Sequence, residues 1–295
     1  MPDYDFVTVD VFTDQRFGGN QLAIFPDARG LTTAQMQSLA NEFNLSETTF
    51  VLPPENPENT ARVRIFTRTT EMPFAGHPNV GTGWVLAQQG RDHNGMLQFE
   101  EIAGIVEIQI HRDAAGTITG TTIAAPQPLS LGAKPPVAAI AACAGLITAD
   151  IVTTAHMPVA ASVGNPFVIA EVTGPALTRA TPDFAAFRAA LAQAPDLHGR
   201  LALYLYCRDG ARIRARMFAP LGGTYEDPAT GSAATPLAAL LLSLTDAPDI
   251  AIDIIQGVEM GRPSLLRTTA RRTPDGIRAT VGGNCVPVLR GVATL

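Results

Sequence analysis

Charge is scarce in this sequence: 16% of its 295 residues are Asp, Glu, Lys or Arg, and the formal balance is −6. The Lys and Arg residues are scattered, so no concentrated basic face is available to meet a phosphate backbone, and nucleic-acid binding is excluded as an expectation. Cysteine is rarer still. Cys143, Cys207 and Cys285 are odd in number and far apart, which argues against a disulfide framework or a zinc knuckle and leaves buried thiols as the plain reading. No uncharged apolar run reaches the roughly 18 residues of a membrane helix. The opening MPDYDFVTVDVFT carries acids where a secretory signal carries basic residues, and it alternates as a strand does, so a cytoplasmic protein without membrane contact is expected.

Apolar residues are plentiful. At 46% of the chain they suffice for one large core or two ordinary ones, and usual domain sizes favour two. The chain also repeats itself. EMPFAGHPN, Glu71 to Asn79, and EDPATGSAA, Glu226 to Ala234, share a skeleton of Glu, any residue, Pro, two residues, Gly and a polar group. Gly19-Asn20 in FGGNQLAIF matches Gly164-Asn165 in SVGNPFVIA, each ahead of an apolar, strand-like run. Amphipathic helices follow in both halves. TTAQMQSLANEFN places Met36, Leu39, Ala40 and Phe43 on one stripe behind Thr32 or Thr33 as N-cap, and TPDFAAFRAALAQ opens near Pro182. Strands come next in the same order, TTFVL and RVRIFT against LALYLYC and RIRARMFAP. Then come the two turns, each opening a helix, and a hairpin-like region, EEIAGIVEIQI in one half and DIIQGVEMGRP in the other. A duplication of about half the chain accounts for this order.

HPNVGTGWVLAQQ and SAATPLAALLLSL carry almost no charge on any side, as helices surrounded by protein do, and Pro78 and Pro236 are expected in their first turns. The fold class is therefore α+β: two pseudo-symmetric domains, each a curved, mostly antiparallel sheet wrapped around a central helix. Proline-rich Ala124 to Pro136 marks the crossing. The tail GGNCVPVLRGVATL has strand composition and is expected to return to the first sheet. The domains so drawn are residues 1–124 plus about 287–295, and residues 125–286.

A helix start offers unpaired amides and partial positive charge, so two such starts opening on one cleft would grip a small carboxylate. Gly76 and Gly231 permit close backbone approach, and His77 and Ser232 follow them. His77 reads equally as an N-cap or a satisfied core imidazole, Ser232 as a plain N-cap, and Asp227 as a helix-start acid; the repeat favours a site. Glu47, in NLSETTFVL, shares a strand face with Thr49 and Val51 by alternation and is either salt-bridged or a proton-transfer group. The second half holds Leu201 to Leu203 in this region and no acid.

FGGN, NLSETTFV, RIFT, EMPFAGHP and EDPATGSA, in this order, resemble the PhzF-like family of isomerases, named for a phenazine-biosynthesis enzyme and sharing the diaminopimelate epimerase fold; the resemblance covers essentially the whole chain. It implies an active site between two similar domains. Glu47 would be the proton-transferring acid/base, with His77, Asp227 and Ser232 orienting and protonating substrate. Gly76 and Gly231 would hold the substrate carboxylate, and Asn20 would contact substrate. It further implies no metal, no organic cofactor and a homodimer. Gln21, Arg68 and Asn79 depart from the common pattern and leave the substrate open. Related epimerases and racemases place cysteine thiols at the two helix starts, where this chain has His77 and Ser232. The expected activity is thus a cofactor-independent isomerase moving a proton within a small carboxylic acid. The alternatives are an amino-acid epimerase or racemase, and a binding or interaction protein that kept the fold and lost catalysis.

Overall fold

The computed structural model describes residues 2–197 and 199–295. The chain divides into two compact units, Met1–Ala124 with Val281–Leu295, and Ala125–Thr280. The break at Ala124 falls at the start of the proline-rich segment. The chain re-enters the first unit at Val281, ahead of the expected position near residue 287.

In the first unit β1 (Asp3–Val11) pairs antiparallel with β2 (Asn20–Phe25), which runs parallel to β3 (Glu47–Leu52) after a crossover through helix α1 (Thr33–Phe43). β4 (Ala61–Thr67) lies antiparallel to β3, and short β5 (Glu71–Met72) leads into helix α2 (Gly76–Gln88). β6 (Met96–Glu101), β7 (Gly104–Arg112) and β8 (Ile118–Ala124) close the unit as an antiparallel meander. α1 begins at Thr32, whose hydroxyl accepts from the Gln35 N–H while the Gln35 amide oxygen accepts from the Thr32 N–H, a capping box. It ends at Asn44 in the left-handed region (φ 52°), and its Met36, Leu39 and Ala40 are buried. They pack with Phe25, Phe50 and Phe66.

α2 is of another kind. Every residue from Gly76 to Ala87 is buried, so no amphipathic stripe exists and the strands enclose it. Gly81 permits this: a Cβ there would lie 2.7 Å from Leu22 Cδ2 and 2.8 Å from Val11 Cγ2. Strand β3 alternates accordingly, with Thr49 Oγ1 hydrogen-bonded to Thr82 Oγ1 of α2 (2.8 Å) and Phe50 facing the α1 layer.

The second unit opens with β9 (Ser130–Leu131), helix α3 (Val137–Cys143), β10 (Ile151–Val152), β11 (Val159–Ser162) and β12 (Pro166–Val172). Helices α4 (Gly174–Arg179) and α5 (Phe184–Ala192) lead to β13 (Leu203–Asp209), parallel to β12 and antiparallel to β14 (Arg212–Ala219). Then β15 (Thr224–Asp227) leads into helix α6 (Gly231–Ser243), followed by the antiparallel pair β16 (Asp249–Gln256) and β17 (Ser264–Thr273). β18 (Gly276–Thr294) ends the chain, pairing antiparallel with β1 from Val11↔Cys285 to Asp3↔Thr294.

Like α2, α6 is buried from Gly231 to Leu242 except at Ser232. The expected place of Pro236 needs correction. Pro78 stands in the first turn of α2, but Pro236 lies inside α6, on its second turn, where the missing N–H leaves the Ser232 carbonyl without its helical donor.

Candidate active site

Arginines fix both repeated turns. Arg64 of β4 holds Glu71 with two parallel bonds (Nε to Oε1 2.7 Å, Nη2 to Oε2 2.6 Å), and Arg216 of β14 holds Glu226 in the same way (2.7 and 2.8 Å). Each guanidinium also stands over the phenylalanine two residues on, Phe66 at 5.1 Å and Phe218 at 4.9 Å. The first acid of each turn is therefore structural, which explains why EDPATG carries two carboxylates and leaves Asp227 for other work.

Neither central helix is closed by a side chain. Ala75 is the N-cap of α2 and Thr230 that of α6; neither side chain caps, and no acid lies in either first turn. By contrast Thr32, Thr173 and Asp183 cap α1, α4 and α5. The amides at Gly76 and Gly231 thus open two helices with no acid in the first turn, Asp227 standing just ahead of the N-cap of α6. His77 and Ser232 are second helical residues and cap nothing; Ser232 is half-buried.

Around the start of α2 the structure brings together Asn20, Glu47 and His77. Gly19 sets Asn20: its φ is +63°, and a Cβ there would meet the Val11 carbonyl oxygen at 2.4 Å, so only glycine fits. Asn20, the first residue of β2, is buried, its Nδ2 lies 3.4 Å from His77 Nδ1, and its Oδ1 accepts from Ser46 Oγ (3.3 Å). Glu47, the first residue of β3, reaches the other side of the ring, with Oε2 3.6 Å from His77 Nε2. The Glu47 side chain is 19% exposed against 6% for His77, so the carboxylate is the accessible member. Burial pulls the imidazole pKa down to about 3, with the Gln21 backbone opposing. The distance would allow an ion pair, but desolvation decides: the ring is neutral near pH 7, and the contact is between a carboxylate and an uncharged imidazole.

At the start of α6, Asp227 is the last residue of β15 and is buried; its Oδ2 accepts from Thr230 Oγ1 (2.5 Å). Gln256, at the end of β16, braces the whole turn. Its Nε2 donates to the Asp227 carbonyl (2.7 Å) and to Thr230 Oγ1 (3.0 Å), and its Oε1 accepts from the Thr230 N–H (3.2 Å) and the Tyr204 hydroxyl (3.0 Å). Ser264 Oγ donates to the Pro228 carbonyl (2.9 Å). Sequence reasoning missed Thr230, Gln256, Tyr204 and Ser264. The one available signal was a glutamine ending the run DIAIDIIQ, since a polar side chain at a strand end facing the core needs partners.

The thiols are elsewhere. All three cysteines are free and buried, and burial raises each, Cys143 to about 12. Among the described residues no three His, Cys, Asp or Glu side chains are grouped to hold a metal ion, and no helix is long and apolar enough to cross a membrane.

A family model described as phenazine biosynthesis-like protein matches residues 9–291. An uncharacterized isomerase of Mesorhizobium japonicum is 40% identical over 99% of both chains. The trans-2,3-dihydro-3-hydroxyanthranilate isomerase of Pseudomonas fluorescens is 36% identical over 99% of this chain and 100% of its own. A crystal structure of a PhzF-family phenazine biosynthesis protein from Bacillus anthracis aligns over 100% of both chains with a TM-score of 0.89 at 25% identity. A hydroxyproline epimerase from Agrobacterium vitis, at 12% identity and a TM-score of 0.64 over 99% of this chain and 93% of its own, shares the fold alone. With two repeated turns, an α+β fold and full-length likeness to named isomerases, the chain belongs to the phenazine biosynthesis-like (PhzF) family and is an isomerase of that family.

Proposed function

We propose that the protein moves a proton within a small carboxylic acid without a cofactor, and that the acid is trans-2,3-dihydro-3-hydroxyanthranilate or a close cyclic relative. The observation that carries the mechanism is the Glu47 carboxylate, partly exposed and 3.6 Å from a neutral His77. Glu47 takes a proton from a carbon of the substrate, and the C–H electron pair becomes part of a new double bond while the existing one migrates. The Glu47 acid then returns the proton to the carbon at the far end, so the product has the substrate's formula. A charged His77 would hold the Glu47 carboxylate ionised and weaken it as a base; the neutral ring orients it without that penalty. Asn20 sets the plane of the ring.

First-turn amides at Gly76 and Gly231 are assigned to the substrate carboxylate, at about 0.3–2 kcal/mol for each helix start. Asp227 and Ser232 are assigned to substrate orientation and to hydrogen bonding at the reacting end. The substrate class is supported by the full-length identity to isomerases named for it. A two-thiol epimerase is disfavoured, because the helix starts carry His77 and Ser232 and the three thiols lie outside both turns.

The test is incubation with trans-2,3-dihydro-3-hydroxyanthranilate and a panel of small cyclic carboxylates in deuterium oxide, followed by NMR. Double-bond migration is expected, with deuterium at the new carbon to the extent that the partly exposed Glu47 acid exchanges with solvent before returning its proton, and Glu47→Gln should lower turnover about 10²–10⁴-fold. Full turnover by Glu47→Gln removes that residue from the mechanism. Inversion of an amino acid's α-carbon without migration selects the epimerase.

A further inference from the structure

One ionisable group beside the start of α2 takes no part in the reading above. Glu101 is the last residue of β6, and alternation places it in the row of Leu97 and Phe99, which are 1% and 0% exposed. Both of its carboxyl oxygens are buried without a hydrogen-bond partner, and so is Oδ1 of Asn79, the fourth residue of α2. The Asn79 amide stands beside the carboxyl, and its Nδ2 donates to the carbonyl of Ala75, the N-cap of α2 (3.0 Å). The Asn79 amide NH2 is the one neighbour that favours the charged form, and it is already committed to the Ala75 carbonyl, so none of the three oxygens has a hydrogen bond within normal range. An ionised carboxylate so placed would pay a desolvation penalty that the Asn79 amide alone offsets only in part. A single proton on Glu101 supplies the missing donor, for Asn79 Oδ1.

The other half of the molecule shows what belongs at this position. Arg64 and Arg216 are counterparts, each clasping the glutamate of its turn. Two residues before them, Arg62 stands opposite Glu100 in the parallel pair β4–β6, and Arg214 stands opposite Ile255 in β14–β16. The next residues, Glu101 and Gln256, are therefore counterparts, and each ends its strand. Gln256 braces the turn before α6 through one amide NH2 and one carbonyl oxygen. A carboxylic acid with its proton in place offers the same division, one donor and one acceptor; a carboxylate does not.

We propose that Glu101 is kept as a neutral acid in the folded protein and that in this form it is a positioning residue, bracing the start of α2 through Asn79 as Gln256 braces the start of α6. Neighbouring charged groups leave it alone. Glu100 faces the opposite side of β6, accepting from the Glu55 and Asn56 N–H groups and from Asn59. Arg62 of β4 holds Glu55, Arg64 of β4 holds Glu71 of β5, Glu107 of β7 is exposed, and His77 of α2 is neutral. Burial raises the Glu101 pKa to about 8, with the Asn79 amide pulling the other way.

The proposal does not depend on which substrate is turned over, and its test uses none. In the full-length protein with ¹³C-labelled glutamate carboxyls, one resonance should titrate near 8 instead of near 4.5, and it should vanish in Glu101→Gln. The His77 ring resonances should shift over the same alkaline range in the wild type and stay still in Glu101→Gln, which keeps donor and acceptor permanently. Glu101→Ala should displace those resonances at every pH. A Glu101 carboxyl that ionises near 4.5, or a His77 shift near pH 8 that survives in Glu101→Gln, overturns the proposal. If Glu101→Gln does not fold, the wild-type titration alone decides.

Discussion

His77 shows how burial, more than the nearest charge, sets a group's chemistry. Its ring lies beside a carboxylate, yet desolvation depresses its pKa from 6.5 to about 3. Since the unfolded chain binds the proton more tightly than the folded one, this group's contribution to stability is complete above about pH 6.5 and is lost as pH falls toward 3. The thermal midpoint should decline on acidification through that window, and His77→Asn should remove this part of the slope; a two-dimensional NMR titration should show no ring protonation between about pH 5 and 8, where an ordinary imidazole titrates. Turnover should likewise show no ionisation with the ordinary histidine value. Glu47 and His77 could be picked out of the sequence because each stands inside a distinctive segment. The neutrality of His77 could not, because it depends on what the fold wraps around it.

At the scale of elements, both repeated turns are held by polar networks, the first partly exposed and the second almost out of contact with solvent. Arg216 and Glu226 have side chains only 8% and 9% exposed, so removing one leaves the other charged and buried. Arg216→Ala should cost about 3–5 kcal/mol in urea unfolding, and Arg216→Lys should restore little, as an ammonium cannot make two parallel bonds and stack on Phe218. Gln256→Met keeps the length and removes the amide. It strands the Asp227 carbonyl, the Thr230 N–H and the Tyr204 hydroxyl, so a loss on the order of 3 kcal/mol is expected, together with faster hydrogen exchange at the Thr230 amide. The order of elements and the enclosure of α2 and α6 were legible from apolar periodicity and the absence of charge. Pro236 was misplaced because the expected helix start lies nearer the proline than the observed one: the helical bonds begin at Gly231, leaving Pro236 beyond the first turn. Gln256 and Glu101 escaped notice because a polar residue at a strand end looks like a loop residue until its partners are known.

For the whole molecule, the distribution of thiols separates this enzyme from a two-thiol racemase. All three cysteines are buried, with Cys143 and Cys285 showing 0% and 5% exposure, and burial holds each in the unreactive protonated form. A disulfide reagent at pH 8 should label essentially none of them in the native protein and all three in guanidinium, with no loss of isomerase activity after native treatment. Native labelling that abolishes activity would contradict the assignment of proton transfer to Glu47. The duplication was readable from end to end because paired segments recur in one order. The point at which the chain leaves the second unit was less so, since β18 runs without a break from Gly276 to Thr294 and its composition does not change at Val281.

The pairing of β1 with β18 bears on how the protein is made. Asp3 precedes the whole of the middle segment along the chain, and its partner Thr294 follows it. The middle segment, Ala125–Thr280, is contiguous and has its own interior, so it is free to fold during synthesis, whereas the leading segment waits with one edge unpaired until β18 has been made. Nascent chains halted before residue 281 should therefore resist protease in the later-made portion and remain cleavable in the earlier one, the reverse of the usual order.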